Sequence, residues 1–133
     1  MAVSREYLDY LLEQLTPLGQ VTSRRMFGGV GLYREQLFFG LIDDDVLYLK
    51  VDDTNRSDYT VRAMPPFCPF ADRPTYSMAY YQVPADVLED AESLAAWARK
   101  SCAVALKAAQ TKARRRRPAA ARRGNVRRTR KPK

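Results

Sequence analysis

Residues 30–51 read VGLYREQLFFGLIDDDVLYLKV, and this stretch decides the fold. Val30 to Arg34 has the character of a strand, Glu35-Gln36 is a short turn, and Leu37 to Ile42 is nearly all apolar. Gly40 inside that run signals a bulge or a close backbone approach. Asp43-Asp44-Asp45 makes the next turn. Val46, Tyr48 and Lys50 then alternate with Leu47, Leu49 and Val51, so one face of the third strand is wholly apolar. Three strands joined by connections this short form an antiparallel meander.

On the N-terminal side, Ser4 is placed to cap a helix. Leu8, Leu11, Leu12 and Leu15 recur at three- and four-residue spacing on one face of it, with Arg5, Glu6, Asp9 and Glu13 largely on the other. Pro17 and Gly19 end it. On the C-terminal side, residues 54–63 fit a short helix capped by Asp53 or Thr54. The stretch from Met64 to Phe70 holds three prolines, which excludes regular structure. Thr75 to Val83 is rich in β-branched and aromatic residues and reads as another strand. Pro84 opens a helical region in which Asp86 and Glu89 have the spacing of a capping box, with Asp90 equally placed to cap a second, longer helix. Leu94, Trp97, Ala98, Cys102, Ala105, Leu106 and Ala109 form the apolar stripe of a helix running to about Lys112. The fold class is therefore α+β.

The 133 residues divide sharply by charge. Residues 1–106 hold 10 basic and 15 acidic residues, a balance of −5; residues 107–133 hold 13 basic residues and no acid, a balance of +13, and together they give the net +8. Beyond Lys112 the only apolar residue other than alanine is Val126. Such a segment cannot bury enough apolar surface to offset an ordering entropy of roughly 1–2 kcal/mol per residue, so residues 109–133 read as a disordered basic tail. The domain reads as residues 1–108.

Several chemistries are excluded or disfavoured. With no histidine, His-based nucleophile activation and general-base catalysis are out. Cys68 and Cys102 stand far apart and form no CxxC pair, which argues against a disulfide framework or a zinc site and for two reduced, partly buried thiols. Counted from Asp43, the sixth and twelfth positions are Tyr48 and Thr54, not the Gly and Glu of a calcium loop, so this turn and Asp52-Asp53 read as solvated turns. No signal peptide or membrane span is visible, which leaves the cytoplasm as the default location. No metal or cofactor is expected.

The segment Arg25-Met26-Phe27-Gly28-Gly29-Val30-Gly31-Leu32-Tyr33 resembles the signature of the TfoX N-terminal-domain family. The resemblance extends to the apolar strand, acidic turn and L-Y-L-K-V-D strand containing Tyr48 and Lys50. It continues through Tyr80-Tyr81-Gln82-Val83-Pro84 and the helix start at Leu94 to Trp97, covering about residues 1–108. It implies a two-layer domain, an antiparallel sheet of about four to five strands flanked by N- and C-terminal helices. It also implies a link to TfoX/Sxy regulators of DNA-uptake competence, which act at transcription alongside the cyclic-AMP receptor protein. Those regulators carry a second, helical domain after this one, where this sequence has its basic segment. The family supplies no catalytic residues.

The remaining candidates are weighed residue by residue. Gly28-Gly29-Val30-Gly31 is neither a GxGxxG motif nor a Walker loop, and glycines that let strands bend explain it better than a phosphate cradle. Arg24 and Arg25 suit a phosphate or carboxylate, or a salt bridge to the acidic turns, the more ordinary role. Lys50 is expected to reach an acid on a neighbouring strand. Tyr76, Tyr80 and Tyr81 suit either base stacking or packing on a flanking helix. Trp97 is assigned to the core, and Cys68 has no neighbour on the chain that would clearly activate it. The tail carries the strongest signal: Lys112, Arg114, Arg115, Arg116, Arg117, Arg122, Arg123, Arg127, Arg128, Arg130 and Lys131 match a nucleic-acid backbone in charge density. A solubilising tail, or one docked on the protein's own acidic body, is the bland alternative. An anionic membrane is disfavoured, because the tail has no apolar face. The sequence thus reads as a non-enzymatic binding or regulatory protein that holds DNA or RNA through its tail, with nucleoid association as a corollary. The alternative is a protein–protein adaptor, the domain engaging a partner or a second copy of itself.

Overall fold

The computed structural model describes residues 3–26, 28–68 and 79–116. Helix α1 spans Arg5–Gln14, and the Tyr7 amide donates to Ser4 Oγ at 3.1 Å, the expected cap. Leu8, Leu11 and Leu15 are buried. A 3-10 turn over Thr16–Leu18, with Pro17 inside and Gly19 at φ 114°, turns the chain toward the sheet.

Five strands follow in simple order, each antiparallel to the next: β1 (Thr22–Met26), β2 (Gly29–Arg34), β3 (Leu37–Asp43), β4 (Val46–Lys50) and β5 (Tyr80–Gln82). The turns at Glu35-Gln36 and Asp44-Asp45 have positive φ at both residues, 53° and 67° in the first, 53° and 58° in the second. Two-residue loops of this primed type match the right-handed twist of the flanking strands. Leu32 pairs with Gly40 and Tyr33 with Phe38, so Phe39 is the extra residue of a β-bulge. The irregularity expected near Gly40 is therefore present, one residue earlier.

Helices α2 (Arg56–Thr60), α3 (Ala85–Leu88) and α4 (Ala91–Arg116) complete the architecture. Helix α4 lies across β3 and β4 and contacts α1 on the same side, so the helices cover one sheet face. Leu32, Phe39, Ile42, Leu47 and Leu49 meet Leu11, Leu15, Leu94 and Ala98 there, all fully buried or nearly so. The two-layer α+β fold, with an antiparallel sheet between terminal helices, is as the sequence implied.

Four expectations need correction. Strand β1 lies where no strand was assigned: its sequence TSRRM is almost wholly exposed, and pairing with β2 rather than apolar alternation makes it a strand. Asp86 and Glu89 form no capping box, because Pro84 occupies the α3 N-cap and the Asp86 carboxylate accepts two 2.8 Å hydrogen bonds from Arg62. The α2 cap position is Asn55, not Asp53 or Thr54, and its side chain serves the strand end instead of the helix. Helix α4 runs to Arg116, one turn past the expected end near Lys112, so the start of the segment read as a disordered tail is helical. Alanine, lysine and arginine are good helix formers, and propensity carries the helix past the end of its apolar stripe.

The Gly28-Gly29 pair has a backbone reason. Gly28 sits at φ 81°, in the left-handed region. A Cβ on Gly29 would stand 2.6 Å from the Ile42 carbonyl oxygen, a backbone atom of the adjoining strand. Gly29→Ala is expected to cost about 1–3 kcal/mol, the range of overpacking. Urea unfolding measures it, and a variant as stable as the parent would contradict the close approach.

Candidate functional site

The helices leave the second sheet face to its own side chains, and among the described residues no helix packs on it. Alternation along the paired strands sends Arg24, Gly31, Tyr33, Phe38, Tyr48, Lys50 and Tyr80 to this side. They form a row across the sheet. The Arg24 guanidinium lies 5.0 Å from the Tyr33 ring centre, Tyr33 stacks on Phe38 at 5.2 Å, and Phe38 meets Tyr80 at 5.6 Å. The Lys50 ammonium lies 4.9 Å from the Tyr80 ring and donates to its hydroxyl at 3.4 Å. Phe67 packs on Tyr48 at 4.9 Å, held by its amide donating to the Tyr80 carbonyl. Gly31 makes room for the row, since a Cβ there would meet Met26, Phe38 and Tyr33 side-chain atoms at 2.8 to 3.2 Å.

This geometry revises several sequence assignments. Lys50 reaches an aromatic ring and hydroxyl rather than a neighbouring acid, because β5 places Tyr80 directly opposite it. Its partial burial lowers the ammonium pKa. Arg24 sits on Tyr33 and makes no salt bridge among the described residues; Arg25 is exposed on the other side of β1. Tyr81 packs against Tyr59 of α2, whereas Tyr80 turns to the opposite face and is 4% exposed, too covered to serve as an open stacking platform. Tyr76 and Phe27 lie outside the described residues. Trp97 is half-buried, its edge on Tyr59 at 4.8 Å and the Arg62 guanidinium over its ring at 5.6 Å. Cys102 is buried and burial raises its pKa; Cys68 is exposed rather than partly buried, and neither is in a disulfide. Among the described residues no group of three acidic, Cys or His side chains is placed to hold a metal.

Burial pushes the Tyr80 hydroxyl pKa from 10.0 up to about 12. The folded state therefore holds this proton more tightly than the unfolded chain. The stability it contributes is complete below about pH 10 and is lost as pH rises toward about 12. Tyr80→Phe removes this term. The variant's urea midpoint is expected to fall less steeply than the parent's between about pH 9.5 and 11.5; parallel curves would refute the assignment. The buried Tyr59 hydroxyl, also raised by desolvation, remains in both proteins and cancels in the comparison.

The charged end of the molecule is the last stretch of α4. Lys112, Arg114 and Arg115 are exposed on it, and the backbone at Arg116 is still helical. The other predicted contacts, Arg117, Arg122, Arg123, Arg127, Arg128, Arg130 and Lys131, lie outside the described residues. Nearer the sheet, a polar node pins α2 and α4 to the end of β4. Ser101 Oγ and Asn55 Nδ2 both donate to the Lys50 carbonyl, at 2.8 and 3.2 Å, and the Asp52 amide donates to Asn55 Oδ1 at 2.9 Å. Both side chains are essentially fully buried. The sequence pattern did not single them out, because polar residues declare such roles only through tertiary contacts.

An open antiparallel meander, helix-covered on one face and aromatic on the other, with cations on the last turns of α4, defines a small two-layer α+β domain. A family model for the TfoX N-terminal domain matches residues 13–105, more than half of the chain, and the protein belongs to that family. No curated protein matches the sequence. Among the described residues no helix is long and apolar enough to cross a membrane.

Proposed function

We propose that the protein is a non-catalytic, TfoX-like regulatory binding protein, competence-related as its family suggests, whose basic C-terminal segment holds nucleic acid without reading sequence. One observation carries this reading: opposite charges are segregated, −5 over residues 1–106 against +13 over residues 107–133. Each phosphate that a Lys or Arg neutralises releases condensed counterions, and that release drives association. The segment contains no aromatic residue, so stacking adds nothing to its affinity. Lys and Arg contacts to phosphate carry no sequence information, so sequence-independent contact with the backbone follows.

The test is a salt titration of the full chain on duplex DNA and on single-stranded RNA. Retention at low salt that collapses at physiological salt is the expected result; absence of retention at low salt would overturn the reading. The aromatic sheet face favours a second reading, an adaptor that docks a protein partner or a second copy. It predicts a complex that survives salt sufficient to strip polynucleotide from the protein.

A further inference from the structure

A cleft of about 600 Å³ opens between the end of β4 and the last turns of α4. Its polar lining is Lys50 and Asp52 from the strand side and Lys107, Thr111, Lys112 and Arg115 from the helix. Lys107, Thr111 and Arg115 follow at four-residue steps and so share one helix face, with Lys112 beside them. Among the described residues none of the three cations on α4 has a carboxylate within salt-bridge distance. The single acid in the cleft is already engaged: Asp52 Oδ1 accepts from the Thr54 amide at 2.8 Å and the Thr54 hydroxyl at 2.5 Å. Those bonds, and more weakly the Lys107 charge, hold its carboxyl below the usual carboxylate range, so it stays ionised. The Lys50 ammonium points to the other sheet face, onto Tyr80, so three positive charges and one negative leave the cleft about +2, with apolar Val51, Val104 and Ala108 as its floor.

We infer that this cleft is a phosphate site: it seats one or more phosphoryl oxyanions, with Lys107, Lys112 and Arg115 as the neutralising groups and the Thr111 hydroxyl as a neutral donor. The inference rests on the polyanion-binding reading above and deepens it, because the folded domain then supplies a fixed subsite at the root of the basic segment. From Lys107 to Arg115 the helix rises about 12 Å. At about 3.4 Å per nucleotide along a strand, that length passes roughly three phosphates. Arginine offers a planar fork to a phosphate and lysine a point charge, so the mixed set grips without demanding one orientation. The same chemistry is shared by a nucleic-acid backbone and by a free polyphosphate.

The experiment uses the full chain, labelled with ¹⁵N, and two probes: a twelve-nucleotide oligo(dT) and inorganic pyrophosphate. Both probes are expected to shift the amide signals of Val51, Asp52 and Thr111. Lys107→Gln combined with Lys112→Gln and Arg115→Gln is expected to weaken oligonucleotide binding by about tenfold or more and to flatten its salt slope by about two to three. All three side chains are exposed on the outer turns of α4 and glutamine is a good helix former, so thermal melting should stay near the parent value. Strong, salt-sensitive oligonucleotide binding that ignores these substitutions would overturn the cleft and leave the polyanion reading standing. No oligonucleotide binding would defeat that reading; the cleft then stands only if pyrophosphate shifts its amides and the substitutions abolish the shift, and falls if neither occurs.

Discussion

Phe39→Ala is expected to destabilise the fold by about 3–5 kcal/mol, the range for removing a buried phenyl ring from a packed core. Phe39 is fully buried, and it is the bulged residue of β3, the strand against which α4 packs most extensively. Strand alternation sends the two consecutive phenylalanines to opposite faces, and the bulge keeps Phe39 and Gly40 together on the core side. Phe38 joins Tyr33 and Tyr80 on the helix-free side, while Phe39 enters the core. A cavity beneath a 26-residue helix cannot collapse easily, because the polar node at Ser101 and Asn55 fixes α4 to the strand end. Native domains have only about 5–15 kcal/mol in hand, so this single change consumes a large part of the margin. Phe38→Ala, on the partly exposed face, should cost markedly less, about 1–2 kcal/mol. Urea unfolding of the pair decides the matter. Equal losses would mean that the helices do not cover the face assigned to them.

The asymmetry between these neighbours was not legible in the sequence, where both belong to one apolar run. What the sequence did carry was the meander, because Glu35-Gln36 and Asp43 to Asp45 punctuate three apolar stretches. It carried α1 through Ser4 and the leucine spacing, and α4 through its long stripe. Strand β1 was hidden, since an exposed edge strand pairs through backbone groups and needs no apolar alternation. Lys50 was mistaken for an ion-pair partner because the β4–β5 register, which brings Tyr80 opposite, is set by tertiary packing. The cleft residues were each visible as letters; that Lys50 and Arg115, 65 positions apart, line one cavity depends on how α4 crosses the sheet. Charge segregation alone needed no structure, being a property of composition along the chain.

Replacing Arg122, Arg123, Arg127, Arg128, Arg130 and Lys131 together by glutamine in the full chain is expected to produce the largest functional change. If about six segment residues contact phosphate, the parent's affinity should fall on the order of a thousandfold between about 50 and 200 mM salt. Each replaced contact removes about 0.9 from the slope of log affinity against log salt, so the variant should be shallower by up to about five. At low salt it should bind on the order of a hundredfold more weakly or worse. The competing account docks the basic segment on the acidic body. That contact is electrostatic too, and it occupies the segment's charges, so polynucleotide affinity would be weak at low salt and nearly flat in salt. Neutralisation would then leave affinity unchanged. The steepness of the salt response separates the two accounts, and Lys112, Arg114 and Arg115, kept intact on α4, show whether the helix end binds by itself.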